Sequence, residues 1–212
     1  ALGICLDGDA DRLILADEQG RIRDGDQIMA ALALDAAEQG TLDGPVIGTL
    51  MSNLGLETLL AEHNIGFERA AVGDRYIHER MVKTGSTLGG EPSGHILQPQ
   101  LTRTGDGLIA ALQVLTVMCR TGRPASQLLS CFTPAPQKLV NLTDLDKAVL
   151  NDKRVTQQVA AVAADLADVG RVLLRPSGTE PLIRVMVEAM DEARLDAAMD
   201  KLVTVLKAAS RE

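Results

Sequence analysis

The chain has 212 residues, 46% of them apolar and 24% charged, a globular composition long enough for one large domain or two modest ones. Its net charge of -8 and its near lack of aromatics, with two Phe, one Tyr and no Trp, argue against nucleic acid and anionic membranes as partners, because both need cationic surface and bases also want stacking platforms. No apolar run approaches the roughly 20 residues of a membrane span, and no signal-peptide pattern is present. Cys5, Cys119 and Cys131 lack metal-site spacing and read as reduced core thiols of a cytoplasmic protein.

In chain order, residues 1–23 read as a hairpin: strand, acidic loop, strand, a turn at Glu18-Gln19-Gly20 and a short return through Arg21-Ile22-Arg23. A lone hairpin is marginal in water, so this piece wants a partner. Residues 24–132 alternate helix and strand. Asp26 can cap a helix running to about Gln39, residues 46–50 read as a strand, and Asn53 can cap a helix through Leu60. A short strand at 66–70 precedes a helix at 75–83, with Asp74 as a possible cap, and residues 87–91 form another strand. Residues 105–120 are a strongly apolar helix carrying Leu108, Leu112, Leu115 and Met118, with Asp106 as its cap. This alternation predicts a mainly parallel α/β layer. Pro134 and Pro136 interrupt it and suit a linker. Residues 133–212 then read as a smaller α+β unit, with strands at 138–142, 171–175 and 182–188. Its helices fall at 152–166 and from an Asp191 cap through Leu206. Because the first strand starts almost at Ala1, beside the acidic loop, the chain is expected to be a piece of a longer protein.

Chemistry concentrates in a few loops. In Asp7-Gly8-Asp9-Ala10-Asp11-Arg12, three carboxylates alternate with small residues, so a tight turn can converge them. Three like charges that close repel, and an oxygen-only set favours a hard divalent cation. Arg12 is no ligand, and beside a metal it points to a bound phosphate. An EF-hand would need glycine where Arg12 stands and amphipathic helices where the flanks are strand-like. A solvated acidic turn is the plain alternative. In Gly89-Gly90-Glu91-Pro92-Ser93-Gly94-His95, Glu91 and Ser93 can accept from and donate to sugar hydroxyls. His95 can orient a neighbour or move a proton, or be a satisfied structural histidine. In Arg175-Pro176-Ser177-Gly178-Thr179-Glu180-Pro181, with Arg184 beyond it, hydroxyls, backbone N–H groups and two arginines can form a nest for a phosphate dianion. An ordinary polar turn is its alternative. Val72-Gly73-Asp74-Arg75-Tyr76 and Thr102-Arg103-Thr104-Gly105-Asp106-Gly107 are weaker segments. His63 and His78 read as structural.

Taken in order, these loops resemble the α-D-phosphohexomutase superfamily, whose patterns DGDxDR, GExSGH and SGTEP are matched by Asp7–Arg12, Gly90–His95 and Ser177–Pro181. The segments Val72–Tyr76 and Thr104–Gly107 resemble its glucosamine branch. The resemblance implies a four-domain enzyme with one loop per domain lining a cleft. Residues 1–23 would be the end of domain 2 with the metal loop, 24–132 the α/β domain 3, and 133–212 the α+β domain 4. It implies Mg²⁺ on Asp7, Asp9 and Asp11, and Arg12 against the transferring phosphoryl group. It further implies Glu91, Ser93 and His95 on the sugar side, with Arg175, Ser177, Gly178, Thr179 and Arg184 on the non-reacting phosphate. The implied reaction interconverts glucosamine 6-phosphate and glucosamine 1-phosphate through a phosphoserine and glucosamine 1,6-bisphosphate, in the bacterial cytoplasm, toward cell-wall precursors. The TRxSG-like loop carrying that serine is not found in these residues. The chain is therefore expected to be inactive without the N-terminal domains. Three alternatives stand beside this one: a phosphomannomutase/phosphoglucomutase, a non-catalytic phosphosugar-binding module, and a Mg²⁺-dependent phosphatase using Asp7-Gly8-Asp9.

Overall fold

The computed structural model describes residues 1–143, 145–177, 180 and 182–210. They form two compact units, Ala1–Pro134 and Ala135–Glu212, each described by itself.

The first unit opens with an antiparallel three-stranded sheet of β1 (Gly3–Leu6), β2 (Leu13–Ala16) and β3 (Ile22–Arg23). Then come α1 (Gly25–Glu38), β4 (Val46–Thr49), α2 (Leu54–Glu62), β5 (Phe67–Ala70) and α3 (Asp74–Thr84). The strands β6 (Gly89–Gly90) and β7 (Ile96–Leu97) and the helices α4 (Gly107–Thr121) and α5 (Ala125–Leu128) complete it. The second sheet has the order β5-β4-β6-β7, with β4 parallel to both neighbours and β7 antiparallel to β6. The apolar Val46 and Ile47 place β4 in the buried centre, as a strand covered on both faces requires.

The N-terminal hairpin does not lack a partner. Leu13 and Leu15 of β2 are fully buried in one core with Ile28, Leu56, Ala111 and Val114. β1 forms the outer edge, with all four residues exposed. A buried ion pair fixes the hairpin's far end. Asp17 accepts from Arg23 Nη2 at 2.8 Å and Arg21 Nε at 3.0 Å, and Arg23 also donates to Ser130 Oγ at 2.7 Å. Burial pushes the Asp17 carboxyl up, but hydrogen bonds from Arg21 N, Arg23 and Gln19 N outweigh it and hold it well below the usual range.

Several local expectations change. The cap of α1 is Asp24, which accepts from Gln27 N, and Asp26 lies inside the first turn. There Asp26 is buried and accepts from Asn53 N at 2.6 Å, so it ties the start of α1 to the start of α2. α3 is capped by Gly73 without a side chain, so Asp74 is its first residue and not its cap. Asn53, Asp106 and Asp191 do cap their helices. α4 buries its small side, Ala110, Ala111, Val114 and Val117, and leaves Leu108 and Leu112 exposed. Cys5 and Cys119 are exposed and so are not core thiols, whereas Cys131 is partly buried and packs against the core.

The second unit is an antiparallel sheet of order β8-β10-β9, built from β8 (Gln137–Thr143), β9 (Gly170–Pro176) and β10 (Leu182–Ala189). α6 (Lys153–Leu166) and α7 (Glu192–Ala209) pack on it. Ile183, Val185 and Val187 alternate into the core beneath Leu195, Met199 and Leu202. On the other face Glu188 is buried and ion-paired with Arg171. Pro176 ends β9, an edge strand, where its missing N–H costs no ladder bond.

Two expectations for stability follow. Gly94 has φ +91°, and a Cβ there would lie 2.0 Å from the Leu13 carbonyl oxygen, so Gly94→Ala should cost at least about 2 kcal/mol. Urea unfolding checks this against Gly8→Ala, whose Cβ would meet nothing within 4 Å. Burial pushes the Asp26 carboxyl up to about 7, with the Asp24 charge adding to it and the Asn53 N–H opposing. The unfolded chain releases that proton near pH 4, as the reference value of about 3.9 sets, so stability falls as pH rises from there to about 7. Asp26→Asn should flatten that fall in denaturation at pH 5 and pH 8, and an unchanged slope would count against it.

Candidate functional site

The acidic loop joins β1 to β2. Ala10 takes φ +60° to turn it, a left-handed conformation that costs a residue with a Cβ about 1 kcal/mol. Asp7 organises the turn: its carbonyl accepts from Ala10 N at 3.2 Å and its Oδ1 from Arg12 N at 3.2 Å. One ligating oxygen from each of Asp7, Asp9 and Asp11 lies within 4.8 Å of the others. Arg12 Nε stands 3.9 Å from both Asp7 Oδ2 and Asp11 Oδ1. His95 Nδ1 is 3.1 Å from Asp11 Oδ2, while Asp11 Oδ1 is buried with no hydrogen-bond partner among the described residues. An all-carboxylate set with an orphaned buried oxygen fits a hard divalent cation.

Backbone contacts seat this loop. Leu13 N donates to Gly94 O at 3.0 Å, Gly107 N to Ala10 O at 2.9 Å, and Gly25 N to Pro92 O at 3.0 Å. The loop after β6 closes on itself, with Glu91 N donating to His95 O and Gly94 N to Glu91 O. Glu91 Oε1 accepts from Gly73 N at 2.9 Å, and Ser93 Oγ donates to Glu91 Oε2 at 3.2 Å. His95 is buried against Gly105, where a Cβ would sit 2.4 Å from Nε2. That nitrogen has no partner among the described residues, so His95 is not a fully satisfied structural histidine.

These pieces border a cleft of about 600 Å³ lined by Asp9, Asp11, Asp74, Arg75, His78, Glu79, His95, Leu97, Arg103, Thr104 and Gly105. Asp74, His78 and Arg103 were not legible as cleft residues. Asp74 passes for a helix cap, His78 for a helix-face histidine, and nothing in the spacing of Arg103 aims it inward. Arg75 pairs with Glu79 at 2.9 Å on its own helix.

In the second unit, β9 and β10 pair so that Arg175 stands directly opposite Arg184. Like charges in that position repel, and an anion between them relieves the repulsion. Arg184 Nη2 donates to Glu180 Oε2 at 3.0 Å, and Arg184 Nε is buried with no partner among the described residues. Ser177 is buried, its Oγ accepts from Glu180 N at 3.2 Å, and its carbonyl accepts from Lys147 Nζ at 2.6 Å. Lys147 carried no signal in the sequence, because it sits far upstream in a short 3-10 turn, Lys147–Asn151. Gly178 and Thr179 lie outside the described residues.

Family models for the phosphoglucomutase/phosphomannomutase alpha/beta/alpha domain III and C-terminal domain match residues 24–135 and 139–205. The chain belongs to the phosphoglucomutase/phosphomannomutase family. Among curated members of the family, a phosphoglucosamine mutase of Marinomonas sp. (strain MWYL1) is 52% identical over 95% of this chain, which covers 45% of that protein. The chain thus spans about half the length of the curated relatives it matches. A Burkholderia thailandensis phosphoglucomutase/phosphomannomutase family protein shares the fold with TM-score 0.79 and 24% identity, over 98% of this chain and 46% of that one. An Aspergillus fumigatus N-acetylphosphoglucosamine mutase, solved with GlcNAc-6P and magnesium, shares it with TM-score 0.77 and 21% identity, over 98% of this chain and 48% of that one.

Mg²⁺ titrated into this family member should move the amide resonances of residues 7–12 and of His95. Asp11→Asn and His95→Ala should each weaken binding about tenfold or more. Resonances that ignore Mg²⁺ would leave the loop a solvated turn.

Proposed function

We propose that this chain is the metal-, sugar- and phosphate-binding part of a phosphoglucosamine mutase, interconverting glucosamine 6-phosphate and glucosamine 1-phosphate. The observation that carries this reading is the convergence of Asp7, Asp9 and Asp11 beside Arg12 and His95, with Asp9, Asp11 and His95 lining one cleft. The curated relatives supply the sugar: they are phosphoglucosamine mutases at about half identity.

In this reading Asp7, Asp9 and Asp11 hold Mg²⁺, which when bound offsets the negative charge of phosphoryl oxygens. The named magnesium complex of the Aspergillus relative supports that choice of ion. His95 fixes the Asp11 carboxylate. The Arg12 guanidinium, held near the loop by its own backbone N–H, spreads charge on the transferring group. Glu91 and Ser93 orient sugar hydroxyls. Arg175, Arg184, Ser177, Gly178 and Thr179 hold the phosphate that does not react, with Lys147 bracing Ser177. Glucosamine 1,6-bisphosphate is the proposed intermediate, formed by a phosphoserine outside these residues, and the N-terminal domains that carry it are the proposed partner.

³¹P NMR tests this with Mg²⁺, glucosamine 6-phosphate and a trace of the 1,6-bisphosphate. The chain alone should show no 1-phosphate. It should turn over once joined to the N-terminal portion of the Marinomonas relative. Arg184→Ala should weaken substrate binding at least about tenfold, the scale of a charge-assisted hydrogen bond. Turnover by the chain alone would place a nucleophile within these 212 residues. Faster turnover of glucose or mannose phosphates would move the reading to a phosphoglucomutase or phosphomannomutase.

A further inference from the structure

We infer that Asp74 reads the amino group of the substrate, and so selects a 2-amino-2-deoxyhexose phosphate over its 2-hydroxy counterpart. This rests on the hexosamine phosphate reading above. Four carboxylates line the cleft: Asp9, Asp11, Asp74 and Glu79. Asp9 and Asp11 belong to the metal loop, and Glu79 is ion-paired with Arg75. Asp74 alone among them is outside the metal loop and in no ion pair among the described residues. One of its oxygens accepts from Arg75 N at 2.7 Å, and the other makes no hydrogen bond among the described residues.

Its position suits the task. Gly73 N donates to Glu91 Oε1 at 2.9 Å, so the residue immediately before Asp74 is fastened to the proposed sugar-binding carboxylate. A reader of one sugar substituent is thereby held at fixed distance from the group that orients the ring. Asp74 also begins α3, whose N-terminus favours a negative charge there. Glucosamine differs from glucose only at C2, where an amine replaces a hydroxyl. That amine protonates near neutral pH and then carries the single positive charge of the sugar. A carboxylate without an ion-pair partner, facing the cleft, distinguishes the two through charge, whereas both oxygens of Glu91 are already engaged, by Gly73 N and Ser93 Oγ. N-acetylation removes the same charge while keeping the nitrogen, so the acetylated sugar is disfavoured as well.

Calorimetric titration of the 212-residue chain, with Mg²⁺ present, against glucosamine 6-phosphate, glucose 6-phosphate and N-acetylglucosamine 6-phosphate tests this. The amino sugar should bind about tenfold more tightly than the other two, and Asp74→Asn should erase that preference while leaving glucose 6-phosphate within about twofold. Asn retains an oxygen for Arg75 N, so the melting temperature should hold. Asp74→Glu, which restores the charge, should recover part of the preference. An Asp74→Asn chain that keeps the preference, or that weakens all three ligands alike, overturns the assignment and leaves the hexose phosphate site standing. A wild-type chain that binds the three equally does the same. A folded wild-type chain that binds none of them overturns the site reading itself.

Discussion

Three contacts of backbone on backbone hold the first unit's loops together: Gly94 against Leu13, Gly25 against Glu91 and Gly107 against Ala10 and Arg12. At the first two, an added Cβ would meet a carbonyl oxygen at 2.0 Å. No side chain fits there, and each seam is closed by a direct N–H to C=O hydrogen bond. The geometry of the carboxylates follows from this. The acidic loop lies on the edge strand of a small sheet whose first strand is exposed. What keeps it from wandering is main chain clamped between the loop after β6 and the start of α4. The ion pair of Asp17 with Arg23, which also donates to Ser130 Oγ, anchors the opposite end of the same hairpin, so the hairpin is held at both ends by polar contacts and in the middle by Leu13 and Leu15.

The buried polar groups divide into two kinds. Asp17 is satisfied by five donors and stays ionised. Asp26 accepts from Asn53 N and the Ser52 side chain, keeps one oxygen without a partner among the described residues and has an acidic neighbour, and retains its proton to near neutrality. Both lie at element ends, where a carboxylate can reach backbone N–H groups that no helix or sheet has claimed. Asp11 and Arg184 each keep a buried polar atom without a partner among the described residues, and both sit in segments proposed above to take an ion. Unfilled hydrogen-bonding capacity is costly in a core, and in this chain part of it coincides with the loops proposed to take ligands.

Much of this was legible in the residues. Alternation of Ile183, Val185 and Val187 marked a strand with those residues on one face, and the Asn53, Asp106 and Asp191 caps marked helix starts, because these signals are local. Asp26 was misplaced by two positions because Asp24 competes with it at the start of α1, and Asp74 by one because the backbone puts Gly73 at the cap of α3. The apolar Leu108 and Leu112 gave no warning that α4 would bury its alanines, since the close approach of Gly107 to Leu6 brings the small side of the helix inward. The acidic loop announced itself through spacing. Lys147 and Arg103 did not, because their partners are supplied by segments distant in sequence or by no residue of the described chain.

The pairing of Arg175 with Arg184 has a consequence for how this chain tolerates change. The two guanidinium groups meet because β9 and β10 are in one particular register over their whole paired length. Residues added between the strands would disturb that alignment, because in a hairpin the length of the turn sets the register. A single deletion inside either strand would shift one arginine beside an apolar neighbour and turn it to the opposite face of the sheet. The facing of the two arginines is therefore a property of the whole hairpin, and its turn and both strands are held to their lengths together.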